Sequence, residues 1–290
     1  GRYDPYENLS ERPLGGRFEP PAPTLFEYFR KAYRVSSDET LILNGEDRTS
    51  EEFYTFSNDH QYGIEYRSEV LSLYRYKTWL LRAQLAEGRF EGKWERQAER
   101  RLAEMRSIDP RRDASLPTTP RIERFWETWR GHYGDTGLAN PRGDRLITEL
   151  AIRAMDSLQP RMMMLNFQDP DYVHWGYPAH YTRAIGIIDQ SLRQIVWHAE
   201  SHPHYAGNTV FAVVPDCGRD NNPLVRTPYQ HHFNSRSARE IWGLFVGPGI
   251  SRNRVINREV QQVDVARTVA AIAGMKTPAM QGRVLHETLS

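Results

Sequence analysis

The fold is indicated most clearly by residues 161–174, which read RMMMLNFQDPDYVH. The run Met162–Phe167 is apolar and has the length of a buried strand rather than that of a helix. Polar residues that could bind a metal follow it at once, beginning with Asp169. Open α/β sheets place their functional groups just after the carboxyl ends of strands. The segment therefore predicts a sheet with a site at its carboxyl edge.

The same alternation of helix and strand continues to the C-terminus. Continuous apolar strands separated by helices are typical of a parallel sheet that is covered on both faces. We therefore predict an α/β fold in which the strands lie mostly parallel in one sheet. The predicted strands are 40–43, 162–167, 209–215 and 241–246, and the predicted helices around them are 144–158, 179–200 and 263–273.

The N-terminal half gives a weaker pattern with one clear helix start. Thr24 followed by Glu27 forms a capping box, which predicts a helix over Leu25–Tyr33. Residues 60–106 carry apolar side chains at helical spacing among dense charge, which predicts two helices with a break near residues 88–92. Residues 107–143 contain several prolines around a short predicted helix, Ile122–Trp129, so the stretch of about 50–143 is expected to be a helical insertion or cap. Residues 1–23 read as loop. A chain of 290 residues with this pattern is expected to form a single domain.

Composition excludes several classes of partner. Lys and Arg number 38 against 37 Asp and Glu, and the net charge of +1 offers no general attraction to nucleic acid or to an anionic membrane. No apolar run approaches the roughly 18 residues of a membrane-spanning helix. Cys217 is the single cysteine, which excludes an internal disulfide. Anion recognition, if present, must therefore be local.

Carboxylate and imidazole side chains gather beside three of the predicted strands. The candidate metal ligands are Asp171, His174, Asp216, His231 and His232, with Cys217 and Asp220 as further candidates. A lone Asp after a strand more often caps a turn, but turn chemistry alone gives no reason for histidine to recur. This set suits Zn²⁺ first, with Mn²⁺, Mg²⁺ or Ca²⁺ as alternatives.

The order of these motifs resembles the alkaline phosphatase and sulfatase superfamily. The resemblance runs from about Arg161 to the C-terminus and is faint between residues 45 and 145. The motifs that carry it are Asp171–His174 with Gly176, Thr209–Arg219, His231–His232, Val246–Ile250, Val263–Thr268 and Gly282–Leu285. The resemblance implies a three-layer α/β/α sandwich with a mostly parallel sheet.

The resemblance also implies how the ligands divide between two metals. Asp171 and His174, with His231 or His232, would hold one metal, and Asp216 would hold the second. Cys217 stands where the family has the histidine of an Asp-His-Gly sequence.

Three alternatives therefore remain for the second metal. Cys217 could ligate it as a thiolate, Asp220 could take over, or the second site could be weak. Arg219 would bind the anionic oxygens of the substrate, and the alternative is a salt bridge within its own loop.

Activity in this family requires a Ser, Thr or formylglycine nucleophile, which is expected upstream of Gly1. Thr49 and Ser50 follow a strand, but that strand matches the next one of the family. The chain is therefore expected to be N-terminally incomplete, and residues 1–290 alone are expected to be inactive. The family includes periplasmic and extracellular enzymes.

The expected function is metal-dependent hydrolysis of a small-molecule phosphate mono- or diester, because histidine ligands favour phosphate chemistry. A sulfate-ester hydrolase is the alternative of the same class. A non-catalytic binding or scaffold protein that keeps the fold is the alternative of another class.

Overall fold

The computed structural model describes residues 7–8, 18–45, 55–107, 118–138, 143–173, 177–220, 230–231 and 235–290. These residues form two compact units. The first unit holds the described residues up to Asn166 together with Met275–Ala279, and the second holds those of Phe167–Gly274 together with Met280–Ser290. The expectation of a single domain stays a prediction.

The first unit is mixed α/β. Its strands are β1 Glu7–Asn8, β2 Phe18–Glu19, β3 Thr40–Leu43, β4 Glu69–Leu71 and β5 Met162–Leu165. Its helices are α1 Leu25–Tyr33, α2 Leu73–Ala86, α3 Lys93–Ser107, α4 Pro120–Tyr133 and α5 Asp144–Ser157. The short antiparallel pair β1–β2 lies in the stretch expected to be loop, because strands of two residues leave no periodic signal.

The second unit is also mixed. Its helices are α6 Pro178–Ser201, α7 Arg236–Arg239 and α8 Gln262–Ile272, its strands are β6 Phe211–Val213 and β7 Leu244–Val246, and a 3₁₀ turn covers Asp169–Val173. None of the described helices is long and apolar enough to cross a membrane.

A three-stranded parallel sheet in the order β4-β3-β5 organises the first unit. The central strand β3 is buried along its whole length, and Ile42 lies between Val70 and Met164 on its two neighbours. Phe26 of α1 packs on this face, joined by Met162. The predicted parallel pairing of strands 40–43 and 162–167 is confirmed. Strand β4 was not predicted, because three residues are too few to show a pattern.

The other two predicted strands pair differently from the expectation. Strands β6 and β7 are antiparallel to each other, with Ala212 opposite Phe245, and form a two-stranded sheet of their own. The prediction that 209–215 and 241–246 join one parallel sheet is therefore wrong. Apolar continuity does not encode strand direction.

The start of α1 depends on one buried carboxylate. Thr24 Oγ1 accepts a hydrogen bond from Glu27 N, and Glu27 Oε2 accepts one from Thr24 N at 2.6 Å. Glu27 is fully buried, and its Oε1 also accepts bonds from the backbone N and the hydroxyl of Ser57. The predicted capping box is confirmed, and the same carboxylate fixes a segment thirty positions along the chain.

Aromatic packing holds the helices between residues 73 and 137. Tyr76 of α2 stacks on Trp79 and contacts Trp126 of α4. Trp129 donates its indole N–H to the Gly137 carbonyl, and the Tyr76 hydroxyl donates to that of Gly134. The predicted interruption near residues 88–92 is confirmed, since α2 ends at Ala86 and α3 begins at Lys93.

The last helix is fastened to the C-terminal segment by two side chains. Asp264, in the first turn of α8, accepts hydrogen bonds from the backbone N–H groups of Gln261 and Arg283. Burial raises the pKa of Asp264, but these two bonds and nearby arginines outweigh that effect and hold the pKa below its ordinary value. Thr268 Oγ1 accepts a bond from Leu285 N. These contacts give the motif 263–268 with 282–285 a structural role.

Replacing Gly282 by alanine is expected to lower the free energy of unfolding by about 1–3 kcal/mol, because a new Cβ forces the backbone apart. That Cβ would lie 2.2 Å from the Val263 carbonyl oxygen. Urea unfolding followed by circular dichroism measures the change.

Gly186 of α6 provides the matched control, since a Cβ there meets nothing within 4 Å. Replacing Gly186 by alanine is expected to raise the free energy of unfolding by as much as about 1 kcal/mol. Equal stability of the Gly282→Ala variant and the wild type would contradict the steric argument.

Candidate metal centre

The first part of the site is the 3₁₀ turn Asp169–Val173, which follows β5 in the chain and contacts α6. Asp171 N donates to the Gln168 carbonyl at 2.8 Å, which fixes the backbone of the turn. The Asp171 side chain is 42% exposed and is therefore accessible from solvent. His174 lies outside the described residues.

The second part is the loop after β6, which contains Asp216–Asp220. The Gln262 side chain, at the start of α8, donates hydrogen bonds to the carbonyl oxygens of Pro215 and Asp216. Gly218 N donates to the Ala238 carbonyl at 2.8 Å. A Cβ at Gly218 would lie 2.0 Å from the Ser237 carbonyl oxygen, so the close approach to α7 requires glycine. The loop is held by backbone contacts to two helices.

The two parts meet at the Asp171 carboxylate. Arg219 Nη2 lies 3.4 Å from Asp171 Oδ1 and donates to the Pro170 carbonyl at 2.9 Å. His231 Nε2 lies 3.9 Å from the same Oδ1 atom. Arg219 is only 10% exposed, so its charge is held in the site rather than in bulk water. A carboxylate, an imidazole and a guanidinium thus share one small volume.

The distance between Asp171 and His231 fits a metal with these two ligands. Zn²⁺ binds carboxylate oxygen and imidazole nitrogen at about 2.0–2.2 Å, so two donors to one tetrahedral ion lie about 3.4 Å apart, and about 4 Å is reached only by donors on nearly opposite sides of the ion. The observed 3.9 Å is within that reach. A carboxylate with an imidazole is also the donor set that borderline divalent metals prefer. Two donors are fewer than the three or four protein ligands of a zinc site, so the pair could form only part of such a site.

Only some of the other predicted site residues are among those that the structure describes. His232, Thr49 and Ser50 lie outside the described residues, as does His174. Among the residues that are described, no group of three or more His, Cys, Asp and Glu side chains is arranged to hold a metal ion. The Asp171–His231 pair is the fragment of the predicted site that the structure brings together.

The candidates for the second metal lie on the same loop as Arg219. Asp216 Oδ1 accepts a hydrogen bond from Cys217 N at 2.8 Å. Burial, followed by the Asp216 charge, raises the pKa of the Cys217 thiol to about 11. In the absence of a metal the thiol is therefore protonated at neutral pH, and a bound divalent cation would displace that proton. Asp220 is buried, and its backbone N donates to the Gln230 carbonyl at 2.6 Å.

Gln262 supports the site although nothing in the sequence marks it. Gln262 was placed just before the predicted helix 263–273, and nothing in its type or spacing marks it as a support for the Asp216 loop. Its amide holds two successive carbonyl groups of that loop, at 3.1 and 3.3 Å. Only the folded chain brings these positions, 46 and 47 apart in sequence, together.

Comparison of the chain with protein-family models, with curated proteins and with solved structures gave no match.

Proposed function

We propose that this chain belongs to a metal-dependent hydrolase of phosphate mono- or diesters. One observation carries the proposal: Asp171 Oδ1 is approached by both His231 Nε2 and Arg219 Nη2, at 3.9 and 3.4 Å. Metal donors and an anion-binding group at one point are what hydrolysis of an anionic ester requires. The motif resemblance supports the same class, and with it a three-layer sandwich and a small-molecule ester substrate.

Each side chain has a proposed role. Asp171 and His231 hold a divalent cation, with Zn²⁺ preferred for its affinity for imidazole and carboxylate. His174 and His232 are proposed as further ligands, and Asp216 as the ligand of a second cation. Such a cation, when bound, polarises the ester oxygens and stabilises negative charge on them.

The anion-binding step is assigned to Arg219. A guanidinium can donate two parallel hydrogen bonds to a phosphate group, which fixes the orientation of the ester as well as neutralising it. The shielding of Arg219 from water strengthens that interaction. The resemblance implies a Ser, Thr or formylglycine nucleophile, and that role is assigned to no described residue.

Two other functions remain as alternatives. A sulfate ester presents a similar tetrahedral anion, so the same residues could bind it. Cys217 in place of the expected histidine favours a second alternative, a protein that keeps the fold for binding or scaffolding without turnover. Turnover measurements separate all three.

The test measures hydrolysis of p-nitrophenyl phosphate, bis-p-nitrophenyl phosphate and p-nitrophenyl sulfate, with Zn²⁺, with Mn²⁺ and with chelator. Residues 1–290 alone are expected to hydrolyse none of them faster than buffer, because they contain no assigned nucleophile. The full gene product is expected to show metal-dependent turnover of at least one phosphate ester.

Turnover of the sulfate alone would support the sulfatase alternative. Inactivity of the full gene product toward all three esters would favour the non-catalytic alternative. Metal-dependent turnover by residues 1–290 would show that a nucleophile lies within them.

A further inference from the structure

A buried amide lies at the carboxyl end of the central strand of the parallel sheet. Asn44 directly follows β3 and is only 1% exposed. Its backbone N–H continues the ladder by donating to the Leu71 carbonyl at 3.1 Å. Among the described residues, neither Oδ1 nor Nδ2 of its side chain has a hydrogen-bond partner. A buried amide without a partner costs free energy, so this side chain does not serve the fold.

The amino end of the same sheet face shows how such polar positions are normally satisfied. Asn44 shares a face of β3 with Ile42 and Thr40, because side chains two positions apart on a strand point to the same side. At the amino end, Ser68 Oγ donates to Thr40 Oγ1 at 3.0 Å. At the carboxyl end, the register of β3 with β4 places Ser72 beside Asn44. The polar pair at the amino end is hydrogen bonded, whereas the pair at the carboxyl end leaves the amide without a partner.

The neighbour of this amide is the start of a long helix. Ser72 is the N-cap of α2, which has fourteen residues, and its Oγ accepts a bond from Arg75 N at 3.1 Å. The first N–H groups of a helix have no partner within it, and with the helix dipole they favour an anion at that end. The first turn of α2 contains no acidic side chain that would take this place. A polar side chain in need of a partner and an anion-favouring helix end thus lie side by side.

The two kinds of atom in the amide define the ligand that fits. Nδ2 of Asn44 donates, as the helix start does, so the ligand needs acceptors and negative charge. Oδ1 accepts, so the ligand must also carry a donor. Phosphate keeps at least one hydroxyl group at neutral pH and offers both, whereas sulfate has the same tetrahedral shape without a hydroxyl group. Because the amide is enclosed, the ligand must also be small.

We propose that Asn44 and the N-terminus of α2 bind a small oxyanion that carries a hydroxyl group, such as inorganic phosphate. The site lies in the first unit and uses none of the residues of the candidate metal centre, so it goes beyond the proposed function and does not rest on it. Its hydrogen bonds form away from bulk water, which strengthens them. The amide lowers the stability of the free protein and contributes to binding instead.

The first experiment titrates inorganic phosphate and sulfate into the wild-type chain by isothermal calorimetry, with a chelator present so that no metal contributes. Phosphate is expected to bind at least about ten-fold more tightly, because sulfate leaves the buried Oδ1 atom unpaired. Asn44→Leu keeps the size of the side chain but forms no hydrogen bonds, and its phosphate affinity is expected to fall at least about ten-fold. Asn44→Asp is expected to lose phosphate binding as well, since a carboxylate repels the anion.

The second experiment measures the Tm, which separates a binding role of the amide from a structural one. Without phosphate, Asn44→Leu is expected to raise the Tm by roughly 2–6 °C, since it removes a buried polar group that has no partner. Added phosphate is expected to raise the Tm of the wild type but not that of Asn44→Leu.

Thr40→Val provides the matched control on the same strand. Thr40 is fully buried, and its Oγ1 donates to the Ser37 carbonyl as well as accepting from Ser68. Its replacement by valine also exchanges a buried polar group for an apolar one of similar size. Because this group is hydrogen bonded, Thr40→Val is expected to lower the Tm and to leave phosphate affinity unchanged.

Each outcome decides the proposal. Equal phosphate affinities of the wild type and Asn44→Leu, or no phosphate binding to the wild type, would overturn it. A lower Tm of Asn44→Leu would assign the amide to the fold, for example through a bound water, and would overturn it too. Equal affinities for phosphate and sulfate would mean an adventitious ion only. None of these results depends on turnover, so failure here leaves the proposed hydrolase to its own test.

Discussion

Zn²⁺ binding is expected to weaken at least about 100-fold when Asp171 is replaced by alanine. Outer partners that only orient a metal ligand already cost about 10–100-fold when they are removed, and a direct ligand contributes more. We expect Asp171 to be a direct ligand because its Oδ1 atom lies near both His231 Nε2 and Arg219 Nη2. Calorimetric titration with Zn²⁺ measures the affinity, and the full gene product is expected to lose metal-dependent turnover in parallel.

Asp189→Ala is the matched control for this prediction. Asp189 lies on α6, is 75% exposed and pairs with Arg193, so its loss also removes one carboxylate. It is expected to leave both Zn²⁺ affinity and turnover unchanged. An unchanged Zn²⁺ affinity in Asp171→Ala would refute the assignment of Asp171 as a ligand.

Replacing Glu27 by alanine is expected to lower the free energy of unfolding by about 2–4 kcal/mol, a larger loss than that expected for Gly282→Ala. The substitution keeps the cap bond from the backbone N–H of residue 27 to Thr24 Oγ1, but it leaves the Thr24 N–H and the two donors of Ser57 without their acceptor, at about 1–3 kcal/mol each before relaxation. Relief of the cost of burying the carboxylate offsets part of this sum. Urea unfolding of the wild type and the variant gives the difference.

Glu27→Gln separates the contributions. Its amide oxygen can still accept the bonds from Ser57, but its NH₂ group cannot accept from Thr24 N, so the loss is expected to be smaller than in Glu27→Ala. A loss of less than about 0.5 kcal/mol in Glu27→Ala, the range of ordinary surface changes, would contradict the role of this carboxylate.

The same carboxylate gives a pH dependence with a definite sign. Burial raises the pKa of Glu27 above its ordinary value of 4.5, against the effect of its hydrogen bonds. The folded protein therefore binds the proton more tightly than the unfolded chain does. The proton-linked part of the stability from this group is fully present below 4.5 and is lost as the pH rises through the folded-state value, whereas the part due to its accepted hydrogen bonds remains. The difference in unfolding free energy between the wild type and Glu27→Ala is expected to become smaller as the pH rises from 4.5 through the folded-state pKa of Glu27.

Local structure was determined by the sequence to a large extent. The capping box of Thr24 and Glu27 appears in the structure as predicted, and the last helix, predicted over 263–273, is observed over Gln262–Ile272. These features depend on residues three or four positions apart, so the chain specifies them before it folds. The strand 40–43 was found for a related reason, since continuous apolar residues mark a fully buried strand.

The tertiary structure alone decided how distant segments combine. The antiparallel pairing of β6 and β7 and the support of the Asp216 loop by Gln262 have no local signature. The candidate ligands Asp171 and His231 were named from residue type and position after strands, but their 3.9 Å separation depends on the paths of two loops. The pairing of Arg219 with Asp171 has the same origin. Residue type determines which atoms can bind a cation, whereas only long-range packing brings two such atoms within reach of one.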